Sequence, residues 1–313
     1  FNTGKKCGDW VVPPSWDVYK ATLKDPKGKV IADYSKNKLS LWTNSGSFKG
    51  KIDKKKLENK ILSNPEKPEA TTFHFRNQYN FWKKEWGFSL PYKLHKNLKK
   101  GKYSVDIKTS FSKGKLEMAE DVHPGKYKDS LLLVGHFDHP QMCLDGLVGC
   151  LAGHELIHRL KNIKTKLTYR MLSTVEIIGS VFYAYHHAKK NKIRQALFIS
   201  APGARQNISY QKTFLKNNEI DKITTHVLKS LDLNFKTYDF RKGVIGNDEI
   251  AYDVGGTNIP CGALARSPFY SYHTDLDIPS GISWKNFEET ILVLEEIVHI
   301  FENNSILKRN FKF

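Results

Sequence analysis

Cysteine is scarce in this chain. Cys7, Cys143, Cys150 and Cys261 are scattered over 313 positions, and none forms a Cys-x-x-Cys pair. That argues against a disulfide scaffold and a zinc ribbon, and reduced thiols in a cytoplasmic protein are expected. Long apolar runs are also missing. No stretch reaches the roughly 18 apolar residues that a membrane span needs, so no membrane partner is expected. The start, residues 1–10, is polar and lacks the apolar core of a secretory signal. No Met stands at position 1, so what precedes Phe1 is open. There is no Gly-x-Gly-x-x-Gly, no phosphate-loop motif and no Gly-x-Ser-x-Gly elbow.

Acidic residues are few. Asp and Glu number 32 against 50 Lys and Arg, a net charge of +18. Such a balance raises the question of nucleic acid. Yet Lys far outnumbers Arg, the residue that grips phosphates and base edges bidentately. A solvated lysine-rich surface is the plainer account, and no nucleic-acid partner is expected. Hydrophobic residues at 40% and aromatics at 12% suffice for a packed core. At roughly 150 residues per domain, the length suggests about two domains.

The patterning changes near residue 120. Upstream, Lys29-Val30-Ile31-Ala32-Asp33-Tyr34 and Tyr103-Ser104-Val105-Asp106-Ile107 alternate apolar and polar residues, with Lys and Gly turns between such runs. That predicts a small β-rich accessory domain over residues 1–120. Its aromatic cluster of Phe73, Phe75, Tyr79, Phe81, Trp82, Trp86 and Phe88 suits a domain core better than a ligand groove. Downstream, Leu131-Leu132-Leu133-Val134 reads as a buried parallel strand. Residues 167–174, 196–200 and 262–265 read as further strands. Residues 146–160, 180–189, 218–231 and 284–303 read as helices. The last carries apolar residues at Ile291, Leu292, Leu294, Ile297, Val298 and Ile300. Residues 121–313 are therefore expected to form an α/β domain, with a mainly parallel sheet and helices on both faces. Sites in such sheets lie beyond the carboxyl ends of the strands.

Three chemistry-bearing segments fall there. His136, Asp138, His139 and Asp145 crowd the exit of one strand, and neutral imidazole with carboxylate suits zinc. Asp145 also fits a helix N-cap. Glu176 follows a second strand, where a carboxylate among apolar neighbours needs a partner. It has the makings of a general base, or of a helix cap. Tyr272-His273-Thr274-Asp275-Leu276-Asp277 precedes the terminal helix. There His273 is a possible ligand whose second nitrogen a carboxylate would orient. A competing pattern is His154-Glu155-Leu156-Ile157-His158. On a helix it places two imidazoles one turn apart with Glu155 as base, as in His-Glu-x-x-His zinc proteases. Leu147 and Leu151 share that helix face, which suggests that the face packs inward.

These residues resemble a family. Gly135-His136-Phe137-Asp138-His139-Pro140, then Asp145-Gly146-Leu147 and Gly149, is similar to the strand-loop-helix of bacterial aminopeptidase-like domain proteins. Those proteins are distant relatives of the zinc exopeptidases. Glu176-Ile177-Ile178-Gly179-Ser180 resembles the family's Glu-Thr-Ile-Gly-Ser, and Gly246-Asn247-Asp248-Glu249 its Gly-Ser-Asp-Glu. Tyr272-His273-Thr274 with Asp277 resembles its Tyr-His-Thr-Ser-x-Asp. Residues 10–16 and 82–90 are similar to its Trp-Thr-Ile-Pro-Pro-x-Trp and Tyr-x-x-x-Trp-Gly-Phe-x-Leu. Together the motifs run in order along nearly the whole chain.

The resemblance implies a zinc aminopeptidase-like fold with an inserted β-rich domain. It implies His139, Asp145 and His273 as metal ligands and Glu176 as the base. His136, Asp138 and Asp277 become supporting or alternative ligands. Asp248, Glu249, Tyr272 and Arg266 become candidates for substrate binding. The expected activity is zinc-dependent hydrolysis of an amide or peptide in a small substrate, with Glu176 activating water at the ion. Surface-polysaccharide biosynthesis is a related setting. Val175 stands where two-zinc relatives carry a second Glu, and Ala201-Pro202-Gly203-Ala204-Arg205 stands where they place an acid. One zinc ion, or a scaffold that binds without turnover, follows from those departures. Oligomeric state is not legible in the sequence.

Overall fold

The computed structural model describes residues 1–75, 80–243, 247–254 and 256–304. Tyr79 and Gly246 lie outside the described residues. The chain divides into two compact units. The first comprises Phe1–Leu116, His139–Cys143 and Tyr270–Ile278, and the second Glu117–Asp138, Leu144–Phe269 and the chain from Pro279 on. This division differs from a single cut near residue 120. Two later segments fold with the first unit because they bond to loops far upstream. The amide of Phe73 donates to the carbonyl of His273 at 2.8 Å, and Thr72 bridges to Thr274.

The first unit is built on an antiparallel sheet. Its strands are β1 (Ser15–Lys24), β2 (Val30–Asp33), β3 (Phe48–Asp53) and β4 (Lys102–Ser112), in the order β2-β1-β4-β3. The period of two puts alternate side chains on one face. Ala21 and Leu23 of β1 thus join Tyr103, Val105 and Ile107 of β4 in a core with Leu57, Phe88, Leu90 and Leu98. Two short helices, α1 (Lys54–Glu58) and α2 (Tyr92–His95), lie between these strands in the chain. The aromatic cluster is split. Phe88 and Phe73 are buried, whereas Trp82 is 63% and Phe75 49% exposed. Part of the cluster is therefore surface rather than core.

The second unit holds a seven-stranded sheet. Its strands are β5 (Ala119–His123), β6 (Ser130–His136), β7 (Thr168–Thr174), β8 (Ile193–Ser200), β9 (Ile208–Gln211), β10 (Phe235–Tyr238) and β11 (Cys261–Ala265). The order is β10-β9-β11-β8-β6-β7-β5. β6 runs parallel to β7 and β8, and β8 parallel to β11, while β5 and β9 join antiparallel. The sheet is therefore mixed around a parallel centre. All of β6 is buried, as a strand covered on both faces requires. Leu132, Val134, Ala196, Phe198, Cys261 and Ala263 point to one face. There they pack with Tyr183, Ala184, Ala251 and Tyr252 from α4 (Ile178–Tyr183), the turn after it and α6 (Glu249–Asp253). Alternation sends Leu131 and Leu133 to the other face.

Helix α3 (Val148–Leu160) packs against β6, β7 and β8 and against α7 (Trp284–Asn303), which also contacts α5 (Glu219–Ser230). A Cβ on Gly149 would stand 2.4 Å from the carbonyl oxygen of Ile199, so α3 sits closer to β8 than any side chain permits. Two expectations of packing are corrected. Leu292 of α7 is 43% exposed, and Leu147 and Leu151 beside α3 are 44% and 47% exposed. The face carrying His154 and His158 is turned away from the core, which α3 meets with Cys150, Ala152, Leu156, Ile157 and Leu160.

Candidate metal centre

In the second unit the strand exits gather one imidazole and several carboxylates. β6 ends at His136, which is 2% exposed. Its Nδ1 lies 2.8 Å from Oδ2 of Asp248, and its Nε2 lies 3.7 Å from Oδ1 of Asp145. Asp248, fully buried, is itself held. Its Oδ1 accepts from the Ile177 amide at 3.0 Å and from the Ser180 hydroxyl at 2.6 Å. A carboxylate on Nδ1 fixes the ring orientation and leaves Nε2 facing Asp145.

Asp145 is placed by a break in the chain just before α3. It has φ −96° and ψ 69°, and Gly146 follows at φ 169°. A Cβ on Gly146 would lie 2.3 Å from Cδ2 of His136, so the bare glycine lets His136 and this loop come together. The helix expected from residue 146 accordingly starts at Val148.

Glu176 follows β7. The next residue, Ile177, has φ 58° and ψ −61°, and the Ile178 amide donates to the Glu176 carbonyl at 2.6 Å. This is a strained three-residue turn for a β-branched side chain. The Phe137 amide donates to the Thr174 carbonyl at 2.9 Å, which ties the loops after β6 and β7 together. Burial pushes the Glu176 carboxyl up to about 7; His136 opposes this, while Asp138, Asp248 and Asp145 add to it. Burial also disfavours charge on His136, yet Asp145, Asp248 and Glu176 carry its proton affinity well above the ordinary value. The cluster has more negative than positive charge, the condition that favours a bound cation.

In the first unit two histidines stand together. The His139 and His273 rings are 5.3 Å apart, edge to face. Phe73 stacks on His139 at 4.3 Å and meets His273 edge-on at 5.5 Å. His139 is buried, and its Nδ1 lies 2.9 Å from the Pro140 carbonyl. Nδ1–H is then the donor, and Nε2 the nitrogen with ligand character. His273 has φ 56°, stacks on Tyr272 at 3.9 Å, and is anchored through its carbonyl by Phe73. The following Asp275 accepts from the Asn37 amide group at 2.7 Å and from the Thr71 backbone at 2.9 Å. Asp277 is 2% exposed; burial, with the Asp277 charge adding to it, raises the Cys143 thiol to about 11.

The remaining candidates lie elsewhere. Glu249 is fully buried and accepts from Gln211 and the Asn247 amide, each at 2.8 Å. Arg266 bonds Thr290, Glu289 and the Gln206 carbonyl, so its guanidinium ties β11 to α7. His154 sets its two ring nitrogens against Ser173 at 2.9 Å and Asp121 at 3.3 Å, while Glu155 pairs with Arg159 at 2.7 Å. Both groups are thus spent on protein partners, and His158 is exposed. Phe73 and Ser180 were given no site role from sequence. Phe73 stood in the aromatic cluster expected to be core, and Ser180 closed the Glu-Ile-Ile-Gly-Ser motif without a role of its own.

The mixed sheet, its helices and the loops at the strand exits define a protein of the zinc aminopeptidase fold. A zinc aminopeptidase from Bacillus subtilis has a TM-score of 0.65 at 11% identity over 94% of this chain and 86% of that one. An aminopeptidase from Aneurinibacillus sp. strain AM-1 has 0.57 at 13% identity over 96% and 82%. More particularly, the chain belongs to the family described as a domain of unknown function, DUF4910, whose profile matches residues 1–304. A Clostridium acetobutylicum protein, provisionally named for polysaccharide biosynthesis and an aminopeptidase-like domain, is 28% identical over 96% of this chain and 69% of its own length. A crystal structure of a provisionally named peptidase from Clostridium acetobutylicum has a TM-score of 0.88 at 27% identity, covering 97% of this chain and 71% of that one.

Proposed function

We propose that the chain is a metal-dependent amide hydrolase of aminopeptidase type. His139, Asp145 and His273 would hold one zinc ion, and Glu176 would act as general base. The observation that carries this reading is Glu176 itself. It is a carboxyl at a parallel-strand exit, pushed up to about 7 beside His136, Asp138, Asp145 and Asp248. A proton affinity near neutrality is what a base working at neutral pH needs. Two imidazoles and a carboxylate are a zinc donor set, and the ring of His139 is already oriented by Pro140. The donors present therefore fit the ion.

When bound, zinc would supply Lewis acidity toward a carbonyl oxygen and toward water. The chain's own residues do the rest. Glu176 takes a proton from the attacking water and passes it to the departing amine. The Ile177 turn aims the carboxylate, and Asp248 holds that turn through the Ile177 amide. A peptide or small amide is the substrate class. The polysaccharide name of the Clostridium relative makes the amide of an amino sugar a further member of it. Four free thiols suit a cytoplasmic setting, and no helix among the described residues is long and apolar enough to cross a membrane.

A second reading, binding without turnover, draws on Val175 beside Glu176 and on the absence of any acid in Ala201-Pro202-Gly203-Ala204-Arg205 after β8. One variant separates the two. Glu176→Gln is expected to keep its zinc, by elemental analysis, and to lose about 10²–10⁴ in kcat/KM on an amide substrate. Full activity in that variant sinks the role of Glu176, and zinc binding without hydrolysis in the unaltered protein favours the binding scaffold.

A further inference from the structure

Lys67 of the first unit makes no direct ion pair with a carboxylate among the described residues. Its loop is stiff. Pro65 and Pro68 flank it, the Lys67 amide donates to the Asn64 carbonyl at 3.2 Å, and the Ala70 amide donates to the Lys67 carbonyl at 3.0 Å. The half-buried side chain reaches the candidate site's own loop. Nζ donates to the Tyr272 carbonyl at 2.8 Å and lies 5.7 Å from the Tyr270 ring centroid. Tyr272 precedes His273 and stacks on it. An ammonium has three donors. One is used on Tyr272, and no ion pair involves Lys67 among the described residues. Burial lowers its proton affinity, and the neighbouring Glu66 only partly opposes this without an ion-pair contact, so the charge is held at a desolvation cost against a carbonyl, an aromatic face and a carboxylate at a distance. Two exposed rings accompany His273, one three residues before it in the chain and one beside it in space. Tyr270 is 59% exposed, and Phe75, 49% exposed, lies 6.0 Å from the His273 ring.

We propose that Lys67 is a specificity-determining residue that receives a carboxylate borne by the substrate portion seated beside His273, with Tyr270 and Phe75 flanking that portion's apolar stem. The substrate class is thereby narrowed to acidic amides. This rests on the reading of His273 as a site residue. Lys67 itself touches no reacting atom. It selects and places the substrate through a charge-assisted hydrogen bond, a contact held in position before binding by the proline-flanked loop.

The test is calorimetric and does not need turnover. Glutarate and butyrate, equal in one carboxylate and different in the second, are titrated into zinc-loaded protein. Glutarate is expected to bind about tenfold tighter, as a hydrogen bond between charged groups supports. Lys67→Met should bring the two ligands within about twofold at unchanged zinc content, and Lys67→Arg should retain the preference. A preference that survives Lys67→Met, or one absent from the unaltered protein, overturns the proposal. Failure of the protein to bind zinc overturns the metal reading instead, and the same pair of titrations on metal-free protein still reports on Lys67.

Discussion

His273 and Ile177 both adopt positive φ, at 56° and 58°. Neither side chain favours that region, and each such residue costs on the order of 1–3 kcal/mol. The surrounding bonds hold them there. Phe73 binds the His273 carbonyl, and Asp248 binds the Ile177 amide. Strain of this kind collects where a side chain must point in one direction, and here the two positions are a candidate ligand and the neighbour of a candidate base. The residue-scale prediction concerns the ligands. His273→Ala and Asp145→Ala should each lose stoichiometric zinc, whereas His154→Ala should keep it. Elemental analysis of the purified variants checks all three, and zinc loss in His154→Ala would return the site to the helix. The residues of both loops were legible as chemistry, since imidazoles and carboxylates beside apolar strands stand out. Their supporting partners were not. Nothing near His136 in the chain announces Asp248, and nothing near His139 announces Phe73.

The elements were the more legible level, because their signals are local. Leu131-Leu132-Leu133-Val134 reads as a strand buried on both faces, and the periodicity of residues 284–303 matched α7. Misreadings came where an element is interrupted. Residue 146 looked like the start of a helix, but Asp145 and Gly146 leave helical geometry before Val148. The cause is the close approach of His136, which only a missing Cβ allows. Gly146→Ala would place a carbon 2.3 Å from the His136 ring and 2.4 Å from its carbonyl oxygen. Because backbone is involved, the loop must shift. The expected loss of stability is about 1–3 kcal/mol, measured by urea unfolding, with a displaced His136 imidazole resonance. An unchanged midpoint and spectrum would falsify this account of the glycine.

For the whole molecule, buried carboxyls set how stability follows pH. Burial raises Glu249 from 4.5 to about 7, with the Asn247 amide and Gln211 opposing. The folded chain then binds more protons than the unfolded chain between about 4.5 and 7. This contribution is complete below the unfolded value and is lost as pH rises through the folded one. Urea unfolding at pH 5 and pH 7.5 should therefore show a fall in stability that Glu249→Gln reduces. An equal fall in the variant would assign it to other groups. What the sequence determined by itself was the class: apolar runs and their periods decide strands and helices, and the order of motifs along the chain carries the family likeness. Tertiary structure alone decided which distant groups share a unit. His139–Cys143 and Tyr270–Ile278 join the first unit through bonds that span some two hundred residues, such as that between Phe73 and His273. Periodicity reports only on neighbours within a turn or a pleat, so pairings at that separation leave no trace in any local pattern.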